Sequence, residues 1–267
     1  MVGYRPPSLH HAGAASLHVL TMLGLIGKKL GQTQVYDAQG NVRPVTIVLA
    51  GPNRVIQCKT IETDGYKAVQ LGFGDQKASR LSKPLNGHLK KFNTAAVKRI
   101  REFRDFSVEV KPGDTVGVTL FAPGDFVDAI GVTKGRGFEG VVKRHHFAGG
   151  DSTHGAKGWH RRGGAIGNRL FPGTVRRGLS MPGHMGQVRR TTQNLQIIQV
   201  REAENILLIK GAIPGANGDY VIIRESKKLP KGSTRAQARL KARAAAGPAV
   251  GSKAAKAESA AAAAARK

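Results

Sequence analysis

Short β-branched runs dominate the first half of the chain. QTQVYD (32–37), VTIVLAG (45–51), RVIQCKTI (54–61) and YKAVQLGFG (66–74) alternate in part between apolar and polar positions, which predicts half-buried strands. Gly40-Asn41, Gly51-Pro52-Asn53 and Asp64-Gly65 fall between them and read as turns. FSVEV (106–110) and TVGVTL (115–120) continue the series around a Lys111-Pro112-Gly113-Asp114 turn. Before them, Val97, Ile100 and Phe103 recur at helical spacing, which predicts one helix from Asn93 to Arg104. Strand signals return in NLQIIQV (194–200), NILLIKG (205–211) and DYVIIRE (219–225). Many short strands with regular turns predict a mainly β fold, a barrel or a sandwich, and argue against a doubly wound sheet. No internal repeat is visible.

Residues 134–190 break this pattern. Neither a period of 2 nor one of 3.6 persists, and glycine recurs throughout. Such long irregular stretches inside a compact domain are usually functional or disordered. This one holds Phe138, Phe147, Trp159, Leu170 and Phe171, so it is no plain linker. It reads as a basic insertion in one β body, residues 22–133 and 191–225, that becomes ordered on a partner. Residues 1–21 fit neither a secretory signal nor a transit peptide. They read as a flexible extension, or as an over-called start with Met22 as the real one. Residues 226–267 read as a flexible Ala/Lys-rich tail, within which 235–246 has the pattern of a basic helix.

Composition sharpens the picture. Lys and Arg number 43 against 17 Asp and Glu, a formal charge of +26. Charged residues together make up an ordinary 22%, so the anomaly is the missing acid. A field this positive favours a polyanionic partner. Glycine, at 35 of 267 residues, is about twice its usual ~7% share. A single cysteine, Cys58, excludes an internal disulfide framework and a cysteine-rich zinc site. No apolar run approaches the roughly 18 residues a membrane-spanning helix needs. The chain reads as non-secreted, bound to nucleic acid and not an enzyme.

Three motifs invite other chemistry, and each lacks its partners. Gly135-Arg136-Gly137-Phe138-Glu139-Gly140 matches G-x-G-x-x-G, but a dinucleotide site needs a helix opening at the glycines and an acid about 20 residues on. Near that offset stand His160 and Arg161. The kinase version fails as well, because Arg162 follows His160-Arg161 where a catalytic Asp is required. His145, His146, His154, His160 and His184 suggest a metal, yet they lie among arginines whose charge repels a cation, without i, i+4 spacing or nearby cysteines. Ser180 stands in Gly178-Leu179-Ser180-Met181-Pro182, which lacks the closing glycine of a nucleophile elbow. Ser152 and His154 have no orienting acid and read as polar loop residues. No metal, cofactor or small-molecule substrate is expected.

The mixture of glycine, arginine and aromatic residues has a direct physical account. Glycine lets the backbone come close to a phosphate. Arginine pairs bidentately with phosphate and stacks on bases. Trp159 and His160 suit stacking on unpaired bases. The candidate RNA-binding residues are Lys28, Lys29, Lys134, Arg136, Lys143, Arg144, His154, Lys157, Trp159, His160, Arg161, Arg162, Arg169, Arg176, Arg177, His184, Arg189 and Arg190.

FVDAIGVTKGRGFEGVVKR (126–144) resembles the signature of the ribosomal protein L-three family, the universal third protein of the large ribosomal subunit. The match rests on Asp128, Gly131, Thr133, Gly135, Arg136, Gly137, Gly140 and Arg144 in the family's spacing. MLGLIGKKLGQTQVY (22–36), THGAKGWHRRGGAIG (153–167), FPGTVRRGLSMPGHMG (171–186) and LLIKGAIPGANGDYVII (207–223) follow in the family's order. Bacterial-type members begin with a segment like the one at Met22. The resemblance implies a translation-factor-like β-barrel seated on the ribosome and a long loop entering 23S-type rRNA toward the peptidyl transferase centre. It implies a role early in subunit assembly, no catalysis, and a cytoplasmic, ribosome-bound location. It further implies the fourteenth and nineteenth large-subunit proteins as neighbours. Some bacterial relatives carry a methylated Gln just after the GxIG turn; Asn168 stands there in this chain, so that modification is not carried over. The competing reading from composition is a general RNA chaperone or nucleic-acid-compacting protein that works through its basic tail.

Overall fold

The computed structural model describes residues 22–37, 40–231 and 237–238. The extension over 1–21, and the basic helix expected over 235–246 apart from Gln237-Ala238, lie outside the described residues. In chain order the elements are β1 (Gly24–Tyr36), β2 (Val42–Leu49), β3 (Asn53–Lys59), α1 (Ile61–Asp64), β4 (Ala68–Asp75), α2 (Lys83–Lys91), β5 (Val97–Arg104) and β6 (Thr115–Val116). Then follow β7 (Phe126–Val132), β8 (Gly137–Glu139), α3 (Val141–His145), β9 (Gly183–Met185), β10 (Arg189–Arg201), β11 (Ile206–Lys210) and β12 (Tyr220–Glu225).

The protein is mainly β, and six strands close a barrel in the order β1-β12-β7-β10-β11-β2. Every pairing around it is antiparallel. β1 and β10, 13 residues each, serve two neighbours along their length. Each needs a register shift to do so, between Lys29 and Gly31 in β1 and between Thr192 and Leu195 in β10. Such bulges bend a strand and raise its twist, which lets a short sheet close on itself. Alternation then fills the interior. Leu25, Val48, Ile197, Leu207, Ile209 and Ile223 are all fully buried in one cluster. Burial of each such side chain contributes roughly 1.5–3 kcal/mol.

The strands between Gly51 and Leu120 do not enter the barrel. They form a separate sheet in the order β5-β4-β3-β6. One face of that sheet, through Val55, Val69, Leu71, Phe73 and Phe103, joins the barrel's own core. On the other, Ile56 and Val97 pack with Leu89 of α2 in a small second cluster, and Ile100 lies against it. This division corrects the helix expected over 93–104. Val97 and Ile100 pack at one cluster and Phe103 at the other, and the segment is a strand because β5 completes its hydrogen-bond ladder with β4, from Ala68↔Arg104 to Asp75↔Val97. The actual helix lies just upstream. Ser82 precedes its first turn, Pro84 stands within that turn, and His88, Lys90 and Lys91 in its last turn complement the helix dipole.

Two further expectations are corrected. FSVEV (106–110) is not a strand: Asp105 takes a positive φ of 52° and turns the chain, leaving Phe106 with a single bridge to Met22. The segment is held at its end by the Cys58 thiol, which donates to the Val110 carbonyl at 3.1 Å, and burial pushes that thiol's pKa up. Of TVGVTL (115–120), only Thr115–Val116 pairs, with Asn53 and Arg54, and Val118–Leu120 closes into a single 3-10 turn.

Candidate nucleic-acid interface

The basic segment leaves the barrel at Val132 and returns at Arg189, residues paired across β7 and β10. Its root is a narrow neck. Thr133 N donates to Val188 O at 2.9 Å, and Val188 N donates back to Thr133 Oγ1 at 3.2 Å. Beyond it, Arg136 N donates to Met185 O at 2.9 Å, and β8 and β9 pair from Gly137↔Met185 to Glu139↔Gly183. Gly186 has a φ of +79°, and a Cβ there would lie 2.2 Å from Lys134 O, so only glycine fits this crossing. Gly135–Gly140 is therefore part of a two-stranded ribbon, and its last glycine precedes a helix of only five residues.

α3 fixes the returning chain. Arg144 Nη1 donates to Met181 O at 2.5 Å, and the His145 ring lies 3.0 Å from the same carbonyl. Lys143 pairs with Glu139 at 2.7 Å. Between His146 and Pro182 the chain has turns but no regular element. It is organised locally instead. Gly150 N donates to His160 O at 3.1 Å, and the His160 ring contacts Asp151 O at 2.8 Å. The Arg162 guanidinium lies 4.2 Å from the centroid of the Trp159 ring. Trp159, Arg162, Phe147 and Gly163 line a shallow cleft of about 470 Å³.

The electrostatics are one-sided. From 134 to 190 there are twelve Lys and Arg against Glu139 and Asp151. Among the described residues, no carboxylate lies within 4 Å of the side-chain nitrogens of Lys134, Arg136, Lys157, Arg161, Arg162, Arg169, Arg176, Arg177, Arg189 or Arg190. His154 and His184 are exposed along the same stretch. Leu170 and Phe171 are 87% and 89% exposed. Bare apolar side chains thus stand beside guanidinium groups that have no carboxylate partner, the combination of flat apolar surface and positive charge that could receive an anionic, stacking ligand.

Two candidates sit apart from the arm. Lys28, half-buried, opens the stretch of β1 that pairs with β2. Lys29, another RNA-binding candidate, is 6% exposed, and its ammonium donates to Ile213 O at 2.8 Å and Gly215 O at 3.0 Å. Burial lowers its pKa, the charge of Lys134 lowers it further, and Asp219 acts in the opposite direction. Its work is to tie the 213–215 turn to the barrel. Conversely, Arg99 and Arg101 were not among the sequence candidates, because β5 reads as a helix. The structure brings them beside Lys134 and Arg189 at the base of the arm. The sequence carries no period-2 signal over β5, because its apolar residues Val97, Ile100 and Phe103 are spaced by three. Phe138, which the sequence candidates left out, is 80% exposed and paired across the ribbon with His184.

Barrel and arm together define the class: a small β-barrel protein that projects an extended, glycine-rich cationic arm from one pair of strands. The comparisons supply the family. Residues 100–205 match the family described as Ribosomal protein L3. The chain is 48% identical over 207 residues to the Large ribosomal subunit protein uL3 of Deinococcus radiodurans, covering 78% of this chain and 96% of that relative. It is also 48% identical over 208 residues to the protein of the same name from Solibacter usitatus, covering 77% of this chain and 99% of that relative. The chain belongs to this family of ribosomal proteins.

Proposed function

We propose that this protein is a structural, non-catalytic constituent of the large ribosomal subunit. It binds 23S-type rRNA directly, joins early in assembly and extends its arm toward the peptidyl transferase centre. The observation that carries the reading is the arm: guanidinium groups without carboxylate partners and bare apolar side chains share one excursion rooted at a two-strand neck. Cations of this kind displace counterions from phosphates, which supplies affinity, while exposed rings stack on unpaired bases and supply placement. The closed barrel, whose main core it shares with the second sheet, is the rigid anchor. Membership of the family, and relatives named as large-subunit proteins, support the assembly. The fourteenth and nineteenth large-subunit proteins are the neighbours this reading expects.

The test is a salt titration of the full chain against 23S-type rRNA and against an unrelated RNA of equal length, combined with a sucrose gradient of cell lysate. The logarithm of affinity should fall linearly with that of salt, by about 0.7 per phosphate neutralised where the RNA is single-stranded. The rRNA should be preferred, and the chain should sediment with large subunits. Equal affinity for both RNAs and no co-sedimentation would instead identify a general RNA chaperone.

A further inference from the structure

Where β5, the neck of the arm and β12 meet, they leave a cleft of about 660 Å³. That is within the roughly 300–1,000 Å³ typical of pockets that enclose small organic ligands. Its floor is apolar, made by Ile130, Val132, Ile222 and the ring of Tyr220. Its rim is cationic and comes from two separate parts of the fold, Arg99 and Arg101 on β5, and Lys134 and Arg189 at the arm's neck. Among the described residues none of the four has a carboxylate within 4 Å. The one acid lining the cleft, Asp219, accepts a hydrogen bond from Ala216 N at 2.7 Å and so caps its own turn. Tyr220 is fixed in place: its ring and that of Phe73 meet edge to face with centroids 6.0 Å apart, and Lys98 and Arg99 lie 5.7 and 5.2 Å from its centroid.

We propose that this cleft holds one unpaired nucleotide of an RNA strand, with its base on the apolar floor and its flanking phosphates on Arg99, Arg101, Lys134 and Arg189. The proposal rests on the rRNA-binding reading above and adds to it a second contact, on the body of the protein. The chemistry favours a nucleotide for two reasons. Bases that leave a helix are commonly received by aromatic rings and arginine planes, and both are present. Cations on two walls also suit a chain that enters on one side and leaves on the other, with a phosphate at each side of the captured base. A run of carboxylates would engage the rim and leave the floor uncovered. Because two of the four cations belong to the neck, a nucleotide here would also fix the arm's root against β5, coupling where the body sits to where the arm points.

The test uses the full chain bound to 23S-type rRNA transcribed with 4-thiouridine and 6-thioguanosine at low substitution. After irradiation, cross-linked peptides are identified by mass spectrometry. Cross-links are expected on the peptides carrying Val132 and Tyr220 as well as on the arm. In Arg99→Ser/Arg101→Ser the cleft cross-links should fall by roughly tenfold, the order expected from losing a stacked and phosphate-paired base, while arm cross-links persist. A check without any substitution adds hexauridylate or hexaglutamate as competitor. Loss of the cleft cross-links to hexauridylate alone supports the proposal, and loss to hexaglutamate alone assigns the cleft to an acidic protein segment and overturns it. Arm cross-links with none in the cleft overturn this inference and leave the rRNA reading standing. Absence of rRNA binding overturns both.

Discussion

Arg162 lies over the ring of Trp159 at 4.2 Å and holds the chain's single tryptophan with 59% of its surface exposed. Cation–π contact of this kind orients a ring without burying it. Trp159→Ala should therefore change the free protein's stability by no more than about 0.5 kcal/mol, as at other surface positions. Affinity for 23S-type rRNA should drop by about 1–3 kcal/mol, the worth of one base–aromatic stack. Thermal unfolding and an rRNA titration check the two halves. A large loss of stability with normal rRNA binding would place Trp159 in the protein's own packing instead.

Lys29→Met should show the opposite profile. The substitution keeps the aliphatic bulk and strands the carbonyls of Ile213 and Gly215 that now accept from the ammonium. An unsatisfied buried polar group costs about 1–3 kcal/mol, so urea unfolding should shift to lower midpoint with an unchanged slope. The salt dependence of rRNA binding should stay that of the unsubstituted chain. A shallower slope would show that Lys29 does meet a phosphate.

Gly186→Ala tests the neck. Its Cβ would meet the Lys134 carbonyl in a left-handed backbone conformation. Strain of about 1–3 kcal/mol at this point should open the β8–β9 ribbon and leave the barrel folded. Hydrogen exchange should speed up at Arg136 and Gln187, whose amides donate across the neck, and not at Ile197 or Leu207. Uniform loss of protection would mean that arm and barrel unfold as one unit.

Trypsin supplies a fourth test. Arg161, Arg162, Arg176 and Arg177 are exposed in a stretch without regular elements, whereas the barrel strands are paired on both sides. Cleavage of the free protein should begin at those four arginines, because local opening costs least there. It should be suppressed in assembled large subunits. A free arm as resistant as the barrel would refute the expectation that its order depends on a partner.

The second sheet carries a pH-dependent contact. Lys59 bridges Glu102 at 2.9 Å and Tyr66 Oη at 2.7 Å. The hydrogen bond from Lys59 is the main cause holding the Glu102 carboxyl below the ordinary glutamate range, against the opposing effect of burial. A carboxylate whose pKa is lower folded than unfolded stabilises fully above its unfolded pKa and loses that contribution as pH falls through the folded one. Glu102→Gln should thus melt below the unsubstituted protein at pH 7, and the gap should close as the pH drops below the ordinary glutamate range. A gap that persists in acid would assign the effect to packing.

Much of the fold was legible because barrel strands carry local marks. VTIVLAG, NILLIKG and DYVIIRE each combine β-branched residues with turns at both ends, and each lies in the barrel as β2, β11 or β12. The arm was legible for a different reason: glycine and unpaired positive charge exclude a packed core whatever the neighbours are. Where apolar residues serve two cores, local period misleads. Val97, Ile100 and Phe103 have helical spacing on paper, and only the pairing of β5 with β4 between α2 and the barrel makes them a strand.

The sequence alone determined that this is a β protein with a strongly basic, glycine-rich insertion, since strand alternation, turn chemistry and charge balance are properties of short stretches. Only the tertiary structure decided how the strands divide between barrel and second sheet, because that depends on which distant strand completes each hydrogen-bond ladder. The same holds for individual cations. Lys28 and Lys29 are neighbours of one type, yet closure of the barrel buries one against the carbonyls of Ile213 and Gly215, residues about 185 positions away, and leaves the other partly open. Arg99 and Arg101 meet Lys134 and Arg189 only because β5 packs beside the neck of the arm. Charge is additive along a chain and can be counted there; burial and proximity arise from contacts between remote residues and exist only once the chain has folded.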